Sequence, residues 1–185
     1  MAKYVALLRG INVGGNRKMK MADLKVVVEK AGFSGVQTYV QSGNIVFEGA
    51  SEAPADMAAR LEALCEKAFG FHTEFIIRDE ATFRAEAAAC PYVTDALEPT
   101  EGREPKLLHI AYLLHTPDEA RIEALIDGYD GPEDITLKGN ALYVYYREGS
   151  ARSDFSALLT AKKLGTTPTS RNWNTVLKLL SMLDD

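Results

Sequence analysis

The chain has 185 residues, 46% of them hydrophobic and 25% charged, and a net charge of −5. That length holds one large domain or two small ones with ordinary cores. The acidic balance argues against general affinity for nucleic acid or anionic membrane, and no apolar run reaches the roughly 18 residues of a membrane span. Cys65 and Cys90 form no paired motif and are expected to be buried small hydrophobes, which together with the absence of a leader-like start predicts a cytoplasmic protein.

Tyr4 to Leu8 is a short continuous apolar run, the pattern of a strand buried on both faces. A polar, glycine-rich loop follows. Met21, Leu24, Val27, Val28 and Ala31 then repeat at helical spacing, and Gly32 closes that helix. Residues 36–41 and 45–47 predict strands around the turn Ser42-Gly43-Asn44. Met57, Leu61, Leu64, Cys65 and Ala68 mark a second helix, and residues 72–77 another strand. The order β-α-β-β-α-β is the split pattern of a ferredoxin-like fold. A helix over 79–90 is capped by Asp79 and stopped by Pro91. Proline, glycine, threonine and acidic residues over 91–105 read as a linker, which divides the chain into subdomains 1–90 and 106–185.

The second half partly repeats the first. Residues 107–114 predict a strand, and Thr116, Pro117 and Glu119 stand as cap, first position and capping-box partner of a helix buried through Ile122, Leu125 and Ile126. Strands over 135–137 and 142–146 flank Gly139-Asn140, an echo of Gly43-Asn44. Helices over 153–164 and 172–183 complete a β-α-β-β-α-α order with no final strand, so the fold class is α+β. Trp173 is expected as a core anchor, His109 as a satisfied core histidine, and Ser153 as a cap.

The first and second strands should run parallel and end at the same edge of the sheet, because a helix crosses between them. That edge gathers Arg9, Gly10, Asn12, Gly14, Gly15 and Asn16 with Gln41, Ser42, Gly43 and Asn44. Glycines let backbone N–H groups approach an anion, and the start of the helix at Met21 adds a favourable partial charge. Arg171, Asn172 and Asn174, placed at the head of the last helix, offer a second cluster with a guanidinium suited to carboxylate or phosphate. Gly10 and Gly15 have the outer spacing of a nucleotide-binding P-loop, but Asn16 and Arg17 stand where its lysine and hydroxyl belong. Residues 45–47 lack the aromatic platform of an RNA-recognition motif. The three histidines show no metal spacing, and no nucleophile elbow accompanies Ser42.

Three stretches carry a resemblance: Leu7 to Asn16, Thr38 to Asn44, and Lys162 to Gly165 with Thr169 to Thr175. They resemble the bacterial domain-of-unknown-function family numbered 1697 over essentially the whole chain. The resemblance implies a two-subdomain α+β fold and no established activity. The expected function is binding of a small anionic ligand at the polar loops, with cofactors and oligomeric state left open. The rival readings are a hydrolase or transferase acting on a phosphorylated substrate, for which no general base is evident, and a protein-interaction module.

Overall fold

The first strand, β1 (Ala2–Leu8), runs through the middle of a sheet because nothing between Tyr4 and Leu8 needs water. In the computed structural model, which describes residues 1–185, all five of those residues are buried, on both alternations of the strand. The chain continues through α1 (Met21–Lys30), β2 (Ser34–Tyr39), β3 (Asn44–Gly49), α2 (Pro54–Phe69) and β4 (Phe75–Asp79). The strand order is β2-β3-β1-β4, antiparallel at every pairing. Both helices cover one face: Leu24 and Val28 of α1, and Met57, Leu61 and Cys65 of α2, pack with Tyr4, Ala6 and Leu8. Burial, aided by nearby Glu62, pushes the Cys65 thiol up to about 12, and burial raises Cys90 to about 11. Both cysteines are free and serve as small hydrophobes.

Asp79 caps α3 (Glu80–Ala88), its carboxylate accepting from the Thr82 amide at 2.7 Å. Residues 1–84 and 178–185 make one compact unit, and residues 85–177 make another. The second contains β5 (Leu108–Leu113), α4 (Glu119–Asp127), β6 (Asp134–Lys138), β7 (Ala141–Tyr145), α5 (Ala161–Leu164) and β8 (Pro168–Asn172); α6 (Trp173–Asp184) follows. Its sheet has the order β6-β7-β5-β8, again antiparallel.

Three sequence expectations are corrected here. A final strand exists: residues 168–172, read as the approach to the last helix, pair with β5 along its whole length. This strand is polar and begins with a proline, which an edge position tolerates. The helix expected over 153–164 is broken into the 3-10 turn Asp154–Leu158 and the short α5, and a further 3-10 turn, Ser150–Arg152, precedes it. Thr160 interrupts the run by taking the Lys163 amide at 3.2 Å and restarting the chain as α5, while Ser153 is the cap expected of it, taking the Phe155 amide at 3.1 Å at the start of the second turn. The cap of α4 is Asp118, accepting from the Arg121 amide at 3.3 Å, rather than Thr116.

The two sheets correspond position by position. The Leu8 amide donates to the Gly43 carbonyl at 2.9 Å and the Arg9 amide to Glu74 at 3.1 Å; the Leu113 and Leu114 amides donate to Asn140 and Thr167, each at 2.9 Å. Leu113 thus stands where Leu8 does. The registers then align His109 with Tyr4, Pro168 with Phe75, Ser170 with Ile77 and Arg171 with Arg78.

Residues between Cys90 and Leu108 fold back on themselves, with the Thr100 amide on the Tyr92 carbonyl at 2.9 Å. Arg103 fastens this segment to β6. Its guanidinium meets Asp134 at 3.1 Å and lies over the rings of Tyr92 and Tyr145, 5.0 and 5.4 Å from their centroids. Burial opposes ionisation of Asp134, yet bonds from Arg147 and Arg103 outweigh it and hold the carboxyl below its ordinary range. Arg103 is nearly buried and Arg147 half exposed, at 13% and 53% of their side chains. Arg103→Ala is therefore expected to cost about 2 kcal/mol in urea unfolding, through lost ring contacts and a weakened ion pair. Arg147→Ala should cost less than about 1 kcal/mol.

Candidate functional site

Both the loop after β1 and the turn between β2 and β3 leave the first sheet at one end, as the antiparallel order requires. Asn12 ties them together. Its side-chain oxygen accepts from the Met19 amide at 2.9 Å, while its Nδ2 donates to the carbonyls of Met19 at 2.9 Å and Gln41 at 2.8 Å. The residue sits at φ 54°, a conformation asparagine tolerates better than most side chains. Asn12, one of the expected ligand groups, pins the loop through these three bonds.

Beyond the pin, the chain reverses through Val13-Gly14-Gly15-Asn16, with the Asn16 amide on the Val13 carbonyl at 3.1 Å. Gly14 and Gly15 take φ of 60° and 78°, the sign a tight hairpin turn demands at both central positions. Their amides make no bond within the chain, and the exposed Asn16 side chain has no partner. On the other side of the pin, Gly43 and Asn44 are buried and Gln41 and Ser42 are exposed. Asn44 donates to the Tyr39 carbonyl at 2.8 Å and the Ser42 hydroxyl at 3.0 Å, which fixes the hairpin tip.

The cations of this loop differ in their freedom. Arg9 pairs with Glu74 at 3.6 Å and its carbonyl accepts from the Thr73 hydroxyl at 2.7 Å. Arg17 donates to the His72 carbonyl, with its guanidinium 5.4 Å from the centre of the Phe71 ring. Lys18 and Lys20 are exposed and unpaired. The sequence carries a signal for these two lysines that the glycine pattern does not: Arg9 to Ala22 holds four basic residues and no acidic one.

The family model described as "Protein of unknown function (DUF1697)" matches residues 1–143, a span that contains this loop, its pin and the hairpin tip. The chain belongs to the DUF1697 family. A solved structure, the conserved bacterial protein SP0830 from Streptococcus pneumoniae, is 24% identical with a TM-score of 0.72. The likeness covers 100% of this chain and 99% of that one, and it shows a shared fold. No curated protein matches.

The remaining candidates of this DUF1697 chain lie in the second unit. Arg171 is a buried residue of β8, its guanidinium donating to the Thr169 hydroxyl at 2.9 Å and the Ser170 carbonyl at 2.8 Å; burial lowers its pKa to about 10. Arg78 of β4 is buried at the corresponding register position, with no motif around it in the sequence to single it out. Asn172 caps α6, accepting from the Thr175 amide at 3.0 Å, and Asn174 is exposed. Trp173 is fully buried and donates to the Leu97 carbonyl at 2.8 Å, the anchor role expected of it.

Two glycines of the DUF1697 loop region separate space from backbone conformation. A Cβ on Gly43 would stand 2.7 Å from Ile11 Cδ1 and 2.8 Å from Leu8 Cβ, at φ 82°; one on Gly14 would meet nothing within 4 Å. Gly43→Ala should cost about 2–4 kcal/mol, combining overpacking with the left-handed penalty. Gly14→Ala should cost about 1 kcal/mol from backbone strain alone. Chemical denaturation of both variants checks the difference.

Proposed function

We propose that the loop spanning residues 9–20 binds a small anionic ligand, a phosphorylated or carboxylate-bearing metabolite. The observation that carries this reading is the pairing of two unpaired lysines, Lys18 and Lys20, with a loop that Asn12 ties to Met19 and Gln41. A site held before the ligand arrives spends less of its interaction energy on ordering. The free amides of Gly14 and Gly15 and the side chain of Asn16 supply neutral donors, and Arg9 and Gly10 stand at the loop's origin. Gln41 and Ser42 form the facing wall, with Gly43 and Asn44 beneath them as its support. The reading rests on the first unit alone.

Differential scanning fluorimetry against sugar phosphates, nucleotides and dicarboxylates tests it. A ligand at 100 times its dissociation constant adds about 2.7 kcal/mol. For a chain of this length that corresponds to a rise in Tm of roughly 5–10 °C. Lys18→Ala with Lys20→Ala should weaken binding about tenfold or more, at roughly 1 kcal/mol per lost charge contact, and the wild-type shift should shrink as salt rises. A wild-type protein that none of these compounds stabilises, or a double variant that binds as well as wild type, sinks the reading.

An enzyme acting at the same loop needs a general base. The specific observation in its favour is the His72 imidazole, 3.9 Å from Glu66, on the segment whose carbonyl receives Arg17. Turnover of a phosphorylated compound that disappears in His72→Ala, with its binding retained, would select that reading.

A further inference from the structure

The second unit contains a cleft of about 430 Å³ lined by His109, Tyr146, Ser150, Ser156, Thr169 and Ser170. Its origin lies in the break between Ser150 and Leu164. In the first unit, an unbroken α2 packs on the sheet face that carries Tyr4, Phe75 and Ile77. In the second, the segment in α2's place is a series of turns, and the matching sheet positions carry His109, Pro168 and Ser170. A tyrosine, a phenylalanine and an isoleucine have become an imidazole, a proline and a hydroxyl. The sheet face is polar where its cover is incomplete.

The lining divides into fixed and free groups. Ser156 donates to the Ser150 carbonyl at 2.7 Å and bonds the hydroxyl of Tyr146, whose body is buried. The His109 ring stands edge-on to Tyr146 with centroids 5.0 Å apart, and its Nε2 lies 3.3 Å from the Lys106 carbonyl. A carbonyl only accepts, so Nε2 carries the proton and Nδ1 presents a lone pair. That lone pair and the hydroxyls of Ser150 and Ser170 have no partner in the protein. Burial lowers the His109 pKa against its bond to Lys106, which keeps the ring neutral at physiological pH. No Asp, Glu, Lys or Arg lines the cleft.

We propose that this cleft binds an uncharged, polyhydroxylated molecule of mono- to disaccharide size. Its volume falls within the usual range for small-molecule pockets, about 300–1,000 Å³. A hydroxyl both donates and accepts and rotates to suit, so serine hydroxyls match the hydroxyls of a sugar ring. A nucleobase edge, with its fixed donor and acceptor pattern, calls for amide or carboxylate side chains, and the lining has none. A phosphate or carboxylate would find no charged side chain in the lining, and the Arg171 guanidinium beside it is buried and committed to the Thr169 hydroxyl and the Ser170 carbonyl. Leu159 and Pro168 supply apolar surface for the C–H face of a sugar ring.

The test is titration of the isotopically labelled full chain with glucose, maltose and sucrose, followed by amide and histidine NMR, with glucose 6-phosphate as the charged control. At least one neutral sugar is expected to shift the resonances of His109, Ser150 and Ser170 at millimolar concentration, with glucose 6-phosphate no tighter there. Ser170→Ile installs the residue that the first unit carries at this position, and it should weaken binding at least tenfold. Ala151→Trp, at an exposed position on the cleft, should do the same and serves if Ser170→Ile fails to fold. The proposal is overturned if no neutral sugar shifts these resonances at about 20 mM, if the shifts persist in a folded variant, or if glucose 6-phosphate binds the cleft more tightly than glucose.

Discussion

A strand bonded along both edges and buried on both faces reaches solvent only at its ends, and β1 meets all four conditions. Polar chemistry in the first sheet is thereby displaced to the point where the chain leaves Leu8. The exit is constrained further. Successive amides at Leu8 and Arg9 bond outward to opposite neighbours, the hairpin tip at Gly43 and the approach to β4 at Glu74. The loop therefore starts from a fixed direction, and Asn12 fixes it again at Met19 and Gln41. Gly43 belongs to this arrangement, because the close passage of Ile11 and Leu8 leaves no volume for a side chain.

The second unit applies the same backbone plan with different consequences. Its central strand β5 is bonded to Asn140 and Thr167 as β1 is to Gly43 and Glu74. Here, though, the connection to the following helix is short, with Asp118 capping α4 soon after Leu113. No extended loop can form at that end. The departure from regularity comes in the crossover to β8, where Thr160 interrupts a helix that the surrounding composition favours. The effect is to open the sheet face over His109 and Ser170, while Ala111, Leu113, Leu142 and Ile122 keep an apolar core beside it. Each unit also buries an arginine at the same register position of its last strand, a costly placement that hydrogen bonds to backbone and hydroxyl oxygens help offset.

Most elements were legible because burial writes itself into the chain as periodicity. Apolar runs at β1, β5 and β7, and the helical stripes of α1, α2 and α6, place those elements within a few residues of where they lie. β8 was not legible, since Pro168-Thr169-Ser170-Arg171-Asn172 shows no apolar alternation and its pairing is decided by β5 alone. The broken helix over 153–164 has helix-forming composition, and only the capture of the Lys163 amide by the Thr160 hydroxyl tells against it. At the loop, the glycine pair announced a reversal, and the topology placed it beside the hairpin tip. Residue type alone does not separate the polar groups that brace the loop from those that stay open to solvent. Asn12 and Asn44 hold the frame, while Asn16, Lys18 and Lys20 stand free. The apolar neighbours of His109 in sequence predict a core residue; its partial exposure depends on the gap in the crossover.

Charge separates the two openings chemically. In the loop of the first unit, the exposed lysines are solvated and unpaired, so an anion gains attraction without stripping a buried charge. In the cleft of the second unit the polar groups are dipoles on a largely buried floor, and a charged ligand would lose its hydration for hydroxyls and one neutral imidazole. That exchange costs several kcal/mol when no opposite charge is present. A neutral ligand faces no such cost, because each hydroxyl it loses to the cleft trades one hydrogen bond for another. The same sheet plan thus presents a cationic loop in one unit and an uncharged cleft in the other. The difference follows from where each crossover is long, short or interrupted.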